Sequence, residues 1–363
     1  MTPIEDLPTP SVLVDLDVLE ANVKAMQGDA NRAGVKLRPH AKTHKSPEVG
    51  RLQLAEGAVG LTLAKTSEAE VFASLGFEDI FLGYPVYGAD KARRLLALSD
   101  RISIAVGADS EEGARSLGGV FHAAGRRLPV RLKVDCGYGR VGVPPECAVD
   151  MAKRIADLPG IEFRGLFTHG GQGYAAGTPE EVVAAARDES RAVTEAAEAV
   201  RAAGLPVGDV SLGSTPTARH AIAARGVTEC RPGTYVYNDF SQVCLGAARF
   251  EDCALTILAT VVSVPEPRRA VVDAGSKTLS SDPLRPRAVG HGLVLGRQSR
   301  IARLSEEHGV IAVEDGERFR VGERVRILPN HACIVSNLHD RLVAVRKGRV
   351  AGQITVAARG CVQ

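Results

Sequence analysis

The fold predicted for this chain is a parallel (β/α)8 barrel of the TIM type followed by a C-terminal antiparallel β domain. Two observations predict it. Between residue 36 and about residue 240, eight short β-rich runs alternate with Ala-, Glu- and Arg-rich stretches of helical composition. That is the signature of repeated βαβ units, and eight of them favour a closed barrel over an open doubly wound sheet. After about residue 245 the helical stretches stop, and short strands follow one another through Gly, Pro and charge-rich turns with no helical period between them. Such a segment reads as a compact antiparallel β unit.

The barrel strands are KLRPH (36–40), GLTLA (60–64), DIFLG (79–83), ISIAV (102–106), VRLKVD (130–135), FRGLFT (163–168), DVSLG (209–213) and TECRPGTYV (228–236). Each ends in Gly, Pro or polar residues before a helical stretch, the longest being 178–204. SVLVDL (11–16) is an extra strand ahead of this run, and ALTILATVVSV, RAVVDAG, HGVIAVED, ERVRILPN and RLVAVRKGRVAGQ supply the C-terminal strands. The barrel is placed at 10–245 and the β domain at 246–363, with residues 1–9 joining the latter.

Bulk properties narrow the function. The 363 residues are enough for two cores, and 45% hydrophobic with 24% charged residues is the balance of a soluble globular protein. A net charge of +2 with no basic block gives nucleic acid and anionic membranes no electrostatic handle. The N-terminus has neither the basic nor the apolar region of a signal peptide, and no run reaches the ~18 apolar residues of a membrane span. Seven cysteines, an odd number with no CxxC pair, fit reduced thiols and a cytoplasmic location.

A barrel of this type builds its site at the C-terminal ends of its strands, and chemistry-bearing residues collect there. RPHAKTHK (38–45) puts Lys42 after the first strand. An exposed loop lysine is the plain alternative; a Schiff-base lysine in a partly desolvated place is the other, with Lys45 its rival and expected to enter the following helix. DCGYGR (135–140) carries Arg140 beyond a bend that also reads as an ordinary tight turn, and THGGQGY (168–174) carries His169, Gln172 and Tyr174. GSTPT (213–217) offers Ser214 and Thr215 to a phosphate, or simply caps a helix. RPGTY (231–235) adds Arg231, Gly233 and Thr234. The last two segments lie after the seventh and at the eighth strand, where such barrels often bind phosphate. In PNHAC (329–333), His331 and Cys333 are two apart, so in an extended segment they point the same way. Imidazole plus thiolate suits zinc or another borderline metal, although H-x-C usually means nothing.

Taken together, RPHAKTHK, THGGQGY, GSTPT, RPGTYVYND, VVDAGSKTLSSD (271–282) and PNHAC, in this order, resemble the D-serine dehydratase and D-threonine aldolase family of pyridoxal-phosphate enzymes, which carry an alanine-racemase-like barrel. The resemblance spans nearly the whole chain. It implies that Lys42 forms the covalent link to pyridoxal phosphate, with His40 and His44 shaping its pocket. It implies that Tyr174, Thr215, Gly233 and Thr234 contact the cofactor, mainly its phosphate, with Ser214 and His169 beside them. Arg140 corresponds to an arginine near the cofactor ring and Arg231 to one on the pyridine nitrogen; Phe167 stands where some dehydratases carry tyrosine. His331 and Cys333 are implied to hold a divalent metal, zinc favoured, manganese or cobalt the alternatives.

The resemblance also implies the reaction: a lyase acting on a D-3-hydroxy amino acid such as D-serine or D-threo-3-hydroxyaspartate. In the dehydratase form, Lys42 is the base at Cα, the metal helps the β-hydroxyl leave, and the products are a 2-oxo acid and ammonia. The alternative is aldol cleavage to glycine and an aldehyde. H-x-C inclines the reading to dehydration, since the aldolase branch more often offers Asp at the second position. A racemase lacks an identifiable second base here, and non-catalytic pyridoxal-phosphate carriers lack the β domain. A homodimer is expected, with no nucleic-acid or membrane partner.

Overall fold

A computed structural model describes residues 2–283 and 290–363. The chain divides into two units. One comprises residues through Ala25, Thr43–Leu52 and Thr234–Arg359; the other comprises Met26–Lys42, Gln53–Gly233 and Gly360–Gln363. The chain therefore changes unit between Lys42 and Thr43, and again between Gly233 and Thr234. In chain order the strands are β1 (Ser11–Asp15), β2 (Lys36–Leu37), β3 (Leu61–Leu63), β4 (Asp79–Pro85), β5 (Ser103–Ala108), β6 (Leu128–Lys133), β7 (Ile161–Phe167), β8 (Asp209–Leu212) and β9 (Glu229–Cys230). They continue as β10 (Leu255–Glu266), β11 (Arg269–Val272), β12 (Gly292–Val294), β13 (Arg300–Leu304), β14 (Gly309–Ala312), β15 (Arg324–Pro329), β16 (Arg341–Arg346) and β17 (Arg349–Thr355).

In the barrel unit all eight expected strands form, in the parallel order β2-β9-β8-β7-β6-β5-β4-β3. The circle closes through a parallel bridge between His40 and Thr62, where the Thr62 N–H donates to the Pro39 carbonyl at 2.8 Å. The eighth strand is shorter than its sequence suggested: only Glu229–Cys230 is strand, and a 3-10 turn occupies Thr234–Val236. Pro232 has no N–H for a ladder and Gly233 lowers strand stability, so pairing stops there.

Side chains of a strand alternate between its two faces, and here the outward set is apolar. Leu132, Leu166, Val210, Leu212 and Cys230 are buried against the surrounding helices. The alternate residues of β6, β8 and β9 are polar. Glu229 accepts from Arg38 Nε at 2.7 Å, Arg131 Nη1 at 2.5 Å and the Ser211 hydroxyl at 2.6 Å. Arg131 Nε also lies 3.0 Å from Asp209. Part of this barrel's inner face is thus an ion network, bordered by the Phe81 and Phe167 rings, where the usual filling is layered aliphatic side chains.

The other unit holds a nine-stranded sheet in the order β11-β14-β13-β12-β15-β10-β1-β16-β17, with β10 also pairing β11 so that six strands close on themselves. β10 serves both ends because its register shifts between Val261 and Ser263 and again before Glu266, which bends it. As expected, the described strands of the C-terminal segment, β10–β17, pair only antiparallel. The N-terminal strand β1 joins them between β10 and β16 and runs parallel to β16. The unit also contains helices, Ser276–Leu279 and Ala332–Leu338, too short for a helical period to show in the sequence. Among the described residues no helix is long and apolar enough to cross a membrane.

Burial by itself would raise the Glu229 pKa, but Arg131 and Arg38 outweigh it and hold it at about 2. A depressed carboxylate pKa stabilises the fold above the unfolded-state value of about 4.5, and the contribution is lost as pH falls through about 2. We therefore expect Glu229→Ala to cost about 3–5 kcal/mol at neutral pH, because it strands buried guanidinium charge. The difference in urea-unfolding free energy between wild type and Glu229→Gln should shrink as pH falls from about 4.5 towards 2. A difference that stays constant over that range contradicts the assignment.

Candidate active site

The strand ends of the barrel unit gather the predicted residues through backbone turns the sequence encodes locally. Lys42 sits on a 3-10 turn, Ala41–Thr43, whose start is held by the His40 ring: its Nδ1 accepts the Lys42 N–H at 3.4 Å. Lys45, expected to enter a helix, instead adopts a left-handed conformation with φ 48° just ahead of the helix Pro47–Ala55. It belongs to the other unit, where its carbonyl accepts the Ala358 N–H. His44, fully buried in that same unit, accepts the Ser46 N–H on Nδ1 at 3.0 Å.

His169 follows β7. Its Nδ1 pairs with the Gly213 carbonyl at 3.1 Å. Burial, then the charges of Lys42, Lys133 and Arg140, lower its pKa well below the ordinary range. The ring is therefore neutral, so Nδ1 donates to Gly213 and Nε2 keeps a lone pair. Tyr138 packs edge-on to this ring at 5.8 Å, and Arg140 lies exposed, 4.9 Å from the Tyr138 ring centre. The bend reading of DCGYGR is realised: the Asp135 carboxylate accepts the N–H groups of Gly137, Tyr138 and Gly139.

The helix-cap reading of GSTPT is realised too. Ser214 precedes the helix Thr215–Ala221; its hydroxyl donates to the Gly170 carbonyl at 3.1 Å and pairs with the Thr217 hydroxyl at 2.9 Å. Thr215 is buried at the first helical position, and Tyr174 is half-buried on the 3-10 turn Gly171–Ala175. Arg231 is buried in the barrel interior. Gly233 is buried at the end of this unit, and Thr234 opens the other.

Beneath these loops stands a residue that motif reading missed. Glu189, in the middle of the helix Pro179–Ala202, is fully buried. It accepts the Gly170 N–H at 2.7 Å, the Gly213 N–H at 2.8 Å and the Thr217 hydroxyl at 2.7 Å. A Cβ on Gly170 would fall 2.1 Å from its carboxylate, and one on Gly171 would fall 2.5 Å from the Tyr138 ring. The glycines of THGGQGY are thus there for close packing. The only sequence signal for Glu189 was an acid within an otherwise ordinary amphipathic helix.

These residues fit an anionic aldehyde cofactor such as pyridoxal phosphate. Lys133, another residue that motif reading missed, has no hydrogen-bond acceptor among the described residues and rests 4.8 Å over the Phe167 ring. Burial, and then Arg231, depress its pKa to about 7. With Lys42 and Arg140 also acting on His169, cations crowd these strand ends, and a bound anion would relieve them.

In the β unit, His331 and Cys333 do come together, but not on an extended segment. His331 caps the helix Ala332–Leu338, and Cys333 lies in its first turn. Burial opposes a charged imidazole at His331. The Cys333 sulfur, Asp239 and Asp282 outweigh that and raise its pKa to about 10. His331 Nδ1 pairs with Asp282 at 2.8 Å, and the ring also bonds the Cys333 side chain, so imidazole and thiol face one another. The Cys333 sulfur lies 3.1 Å from the Thr43 hydroxyl and 3.6 Å from that of Thr234. Asp239, fully buried, accepts the Ala332 N–H at 3.0 Å and thereby fixes the turn that carries both residues. Among the described residues no third His, Cys or carboxylate completes a cluster. An imidazole oriented by a carboxylate, beside a thiol, fits a borderline divalent metal with open positions.

The chain is similar to known proteins over most of its length. Residues 14–240 match the family model described as "Alanine racemase, N-terminal domain", and residues 254–345 match "Putative serine dehydratase domain". A D-threonine aldolase of Arthrobacter sp. is 35% identical over 99% of this chain and 94% of its own length. The D-threo-3-hydroxyaspartate dehydratase of Delftia sp. is 36% identical over 90% of this chain and 91% of its own.

The chain belongs to the D-serine dehydratase and D-threonine aldolase family.

A solved structure of a cysteine variant of D-threo-3-hydroxyaspartate dehydratase in a metal-free form superposes with a TM-score of 0.90 at 33% identity, covering 98% of this chain and 99% of that one. That this form is metal-free implies that D-threo-3-hydroxyaspartate dehydratase binds a metal. Of the supporting carboxylates, Asp239 ends RPGTYVYND and Asp282 ends VVDAGSKTLSSD, but nothing in either stretch points to the distant backbone or ring that each one holds.

Glu189→Gln should lower unfolding free energy by about 1.5–3 kcal/mol, the worth of hydrogen bonds to a charged group. It should also raise hydrogen exchange at the Gly170 and Gly213 amides, measured by mass spectrometry. Unchanged protection of both amides would show that Glu189 does not hold these loops.

Proposed function

We propose that this protein is a pyridoxal-phosphate- and divalent-metal-dependent lyase of D-3-hydroxy amino acids, and that it is a dehydratase releasing a 2-oxo acid and ammonia. The observation that carries the reading is Lys42 on its His40-capped turn, charge-coupled to a neutral His169 among the cations of the strand ends. Similarity over nearly the whole chain to a D-threonine aldolase and a D-threo-3-hydroxyaspartate dehydratase supports the substrate class.

Lys42 would hold the cofactor covalently. Tyr174, Ser214, Thr215, Gly233 and Thr234 would receive its phosphate, and Arg140, His169 and Arg231 would border its ring. His331 and Cys333 would hold the metal, for which zinc suits an imidazole and a thiolate. When bound, pyridoxal phosphate supplies an electron sink for a Cα bond and the metal supplies a Lewis acid for a hydroxyl. The chain does the rest. The Lys42 amine, freed when the substrate's amino group takes its place, would accept the proton from Cα. His169, kept neutral by burial and by neighbouring cations, offers Nε2 as a hydrogen-bond acceptor and adds no further positive charge beside Lys42. Asp282 orients the His331 ring, and Asp239 holds the turn on which His331 and Cys333 stand.

Purified protein with pyridoxal phosphate should show a visible absorption band that Lys42→Ala abolishes. Recovery of the pyridoxyl group on Lys45 after borohydride reduction and peptide mapping would overturn the assignment. Supplied with D-serine, D-threonine and D-threo-3-hydroxyaspartate plus zinc, the enzyme should release ammonia and a 2-oxo acid. Cys333→Ala or chelation should abolish turnover while leaving the visible band. Glycine and an aldehyde as sole products would make it an aldolase instead.

A further inference from the structure

Arg231 is buried and, among the described residues, makes no direct hydrogen bond to a carboxylate. One terminal nitrogen donates to the Ser211 hydroxyl at 2.5 Å and to the Leu212 carbonyl at 3.3 Å; the other donates to the Thr168 carbonyl. Ser211 spends its own proton on Glu229 Oε1, 2.6 Å away. A hydroxyl has one proton, so what Ser211 presents to Arg231 is a lone pair, and the direction of the chain Arg231–Ser211–Glu229 is fixed. Its far end is anchored because Glu229 is gripped by Arg38 and Arg131.

Two aromatic rings also lie beside the guanidinium. Its carbon lies 5.3 Å from the Phe167 ring centre and 5.8 Å from that of Phe81, and the two rings meet edge-to-face at 5.1 Å. Room for Phe167 comes from Gly107, where a Cβ would fall 2.5 Å from the ring. Arg231 therefore has little freedom to turn. Its charge reaches the strand ends, since it is the largest charged influence on Lys133.

We propose that Glu229 and Ser211 are positioning residues: through the Ser211 hydroxyl, the Glu229 carboxylate holds Arg231 as an oriented cation, and that fixed charge sets the affinity and the absorption of the anionic cofactor taken at the strand ends. The proposal rests on the cofactor reading above. A preorganised charge in a low-dielectric wall acts strongly on a bound anion because nothing reorganises when the ligand arrives.

The test uses the full-length protein and pyridoxal phosphate itself. Ser211→Ala should weaken uptake in equilibrium dialysis by about tenfold, the worth of one hydrogen bond to a charged group, and should shift the visible band. Ser211→Thr, which keeps the hydroxyl, should restore both. Glu229→Gln, which keeps the shape and removes the charge, should shift the band in the same direction; it serves where Ser211→Ala does not fold. Arg231→Lys should show no additional shift when combined with Ser211→Ala. Wild-type affinity and spectrum in Ser211→Ala, or a Ser211→Thr variant as impaired as Ser211→Ala, would overturn the proposal while leaving the cofactor reading intact. Failure of the wild type to take up pyridoxal phosphate would overturn that reading and the proposal with it.

Discussion

One buried carboxylate organises the inside of the barrel. Glu229 joins Arg38, Arg131 and Ser211, side chains from the chain segments of four separate strands or strand ends. Charges of this kind are costly to bury and tolerable only when fully partnered. That requirement constrains the register of each strand, because a slip by one residue would turn these groups outward and bring apolar ones in. The same alternation that brings Glu229 inward also brings Arg231 inward, two residues on, so one chain segment serves both the interior network and the region of the strand ends.

A second buried carboxylate performs a comparable task for the loops. Glu189 ties Gly170, Gly213 and Thr217 together from below. Loops this rich in glycine would otherwise pay a large conformational cost to hold one arrangement. Their order therefore depends on a buried carboxyl group in a helix that carries none of the recognisable motifs. Above it the balance is reversed: Lys42, Lys133 and Arg140 act on a neutral His169, which is a surrounding suited to an anion and unsuited to another cation.

In the β unit a third buried carboxylate, Asp239, accepts the Ala332 N–H and caps the helix Phe240–Cys244 through Gln242. His331 and Cys333 thus owe their meeting to a helix start rather than to strand alternation. Asp282 then holds one imidazole nitrogen and so fixes how the ring is turned towards Cys333. A thiol and an imidazole nitrogen with open positions around them are suited to hold a metal that must also bind something else.

The fold was legible in the sequence because its signals are local. Eight β-rich runs alternating with helical stretches identify a parallel barrel, and the loss of that rhythm near residue 245 identifies the β unit. The motif residues Lys42, His169, Ser214 and Arg231 could be read off because strand ends are where such a barrel does its chemistry. What the sequence left undetermined was non-local. Nothing near Glu189 in the chain points to glycines 19 and 24 residues away, and nothing near Glu229 points to Arg131, 98 residues earlier. Spacing suggested that His331 and Cys333 would share a face, but as members of a strand; a helix start, set by a carboxylate from a distant segment, brings them together instead. Local propensity and hydrophobic period determine which elements form. Partners for buried charge come from wherever in the chain the fold delivers them, and only the tertiary structure decides that.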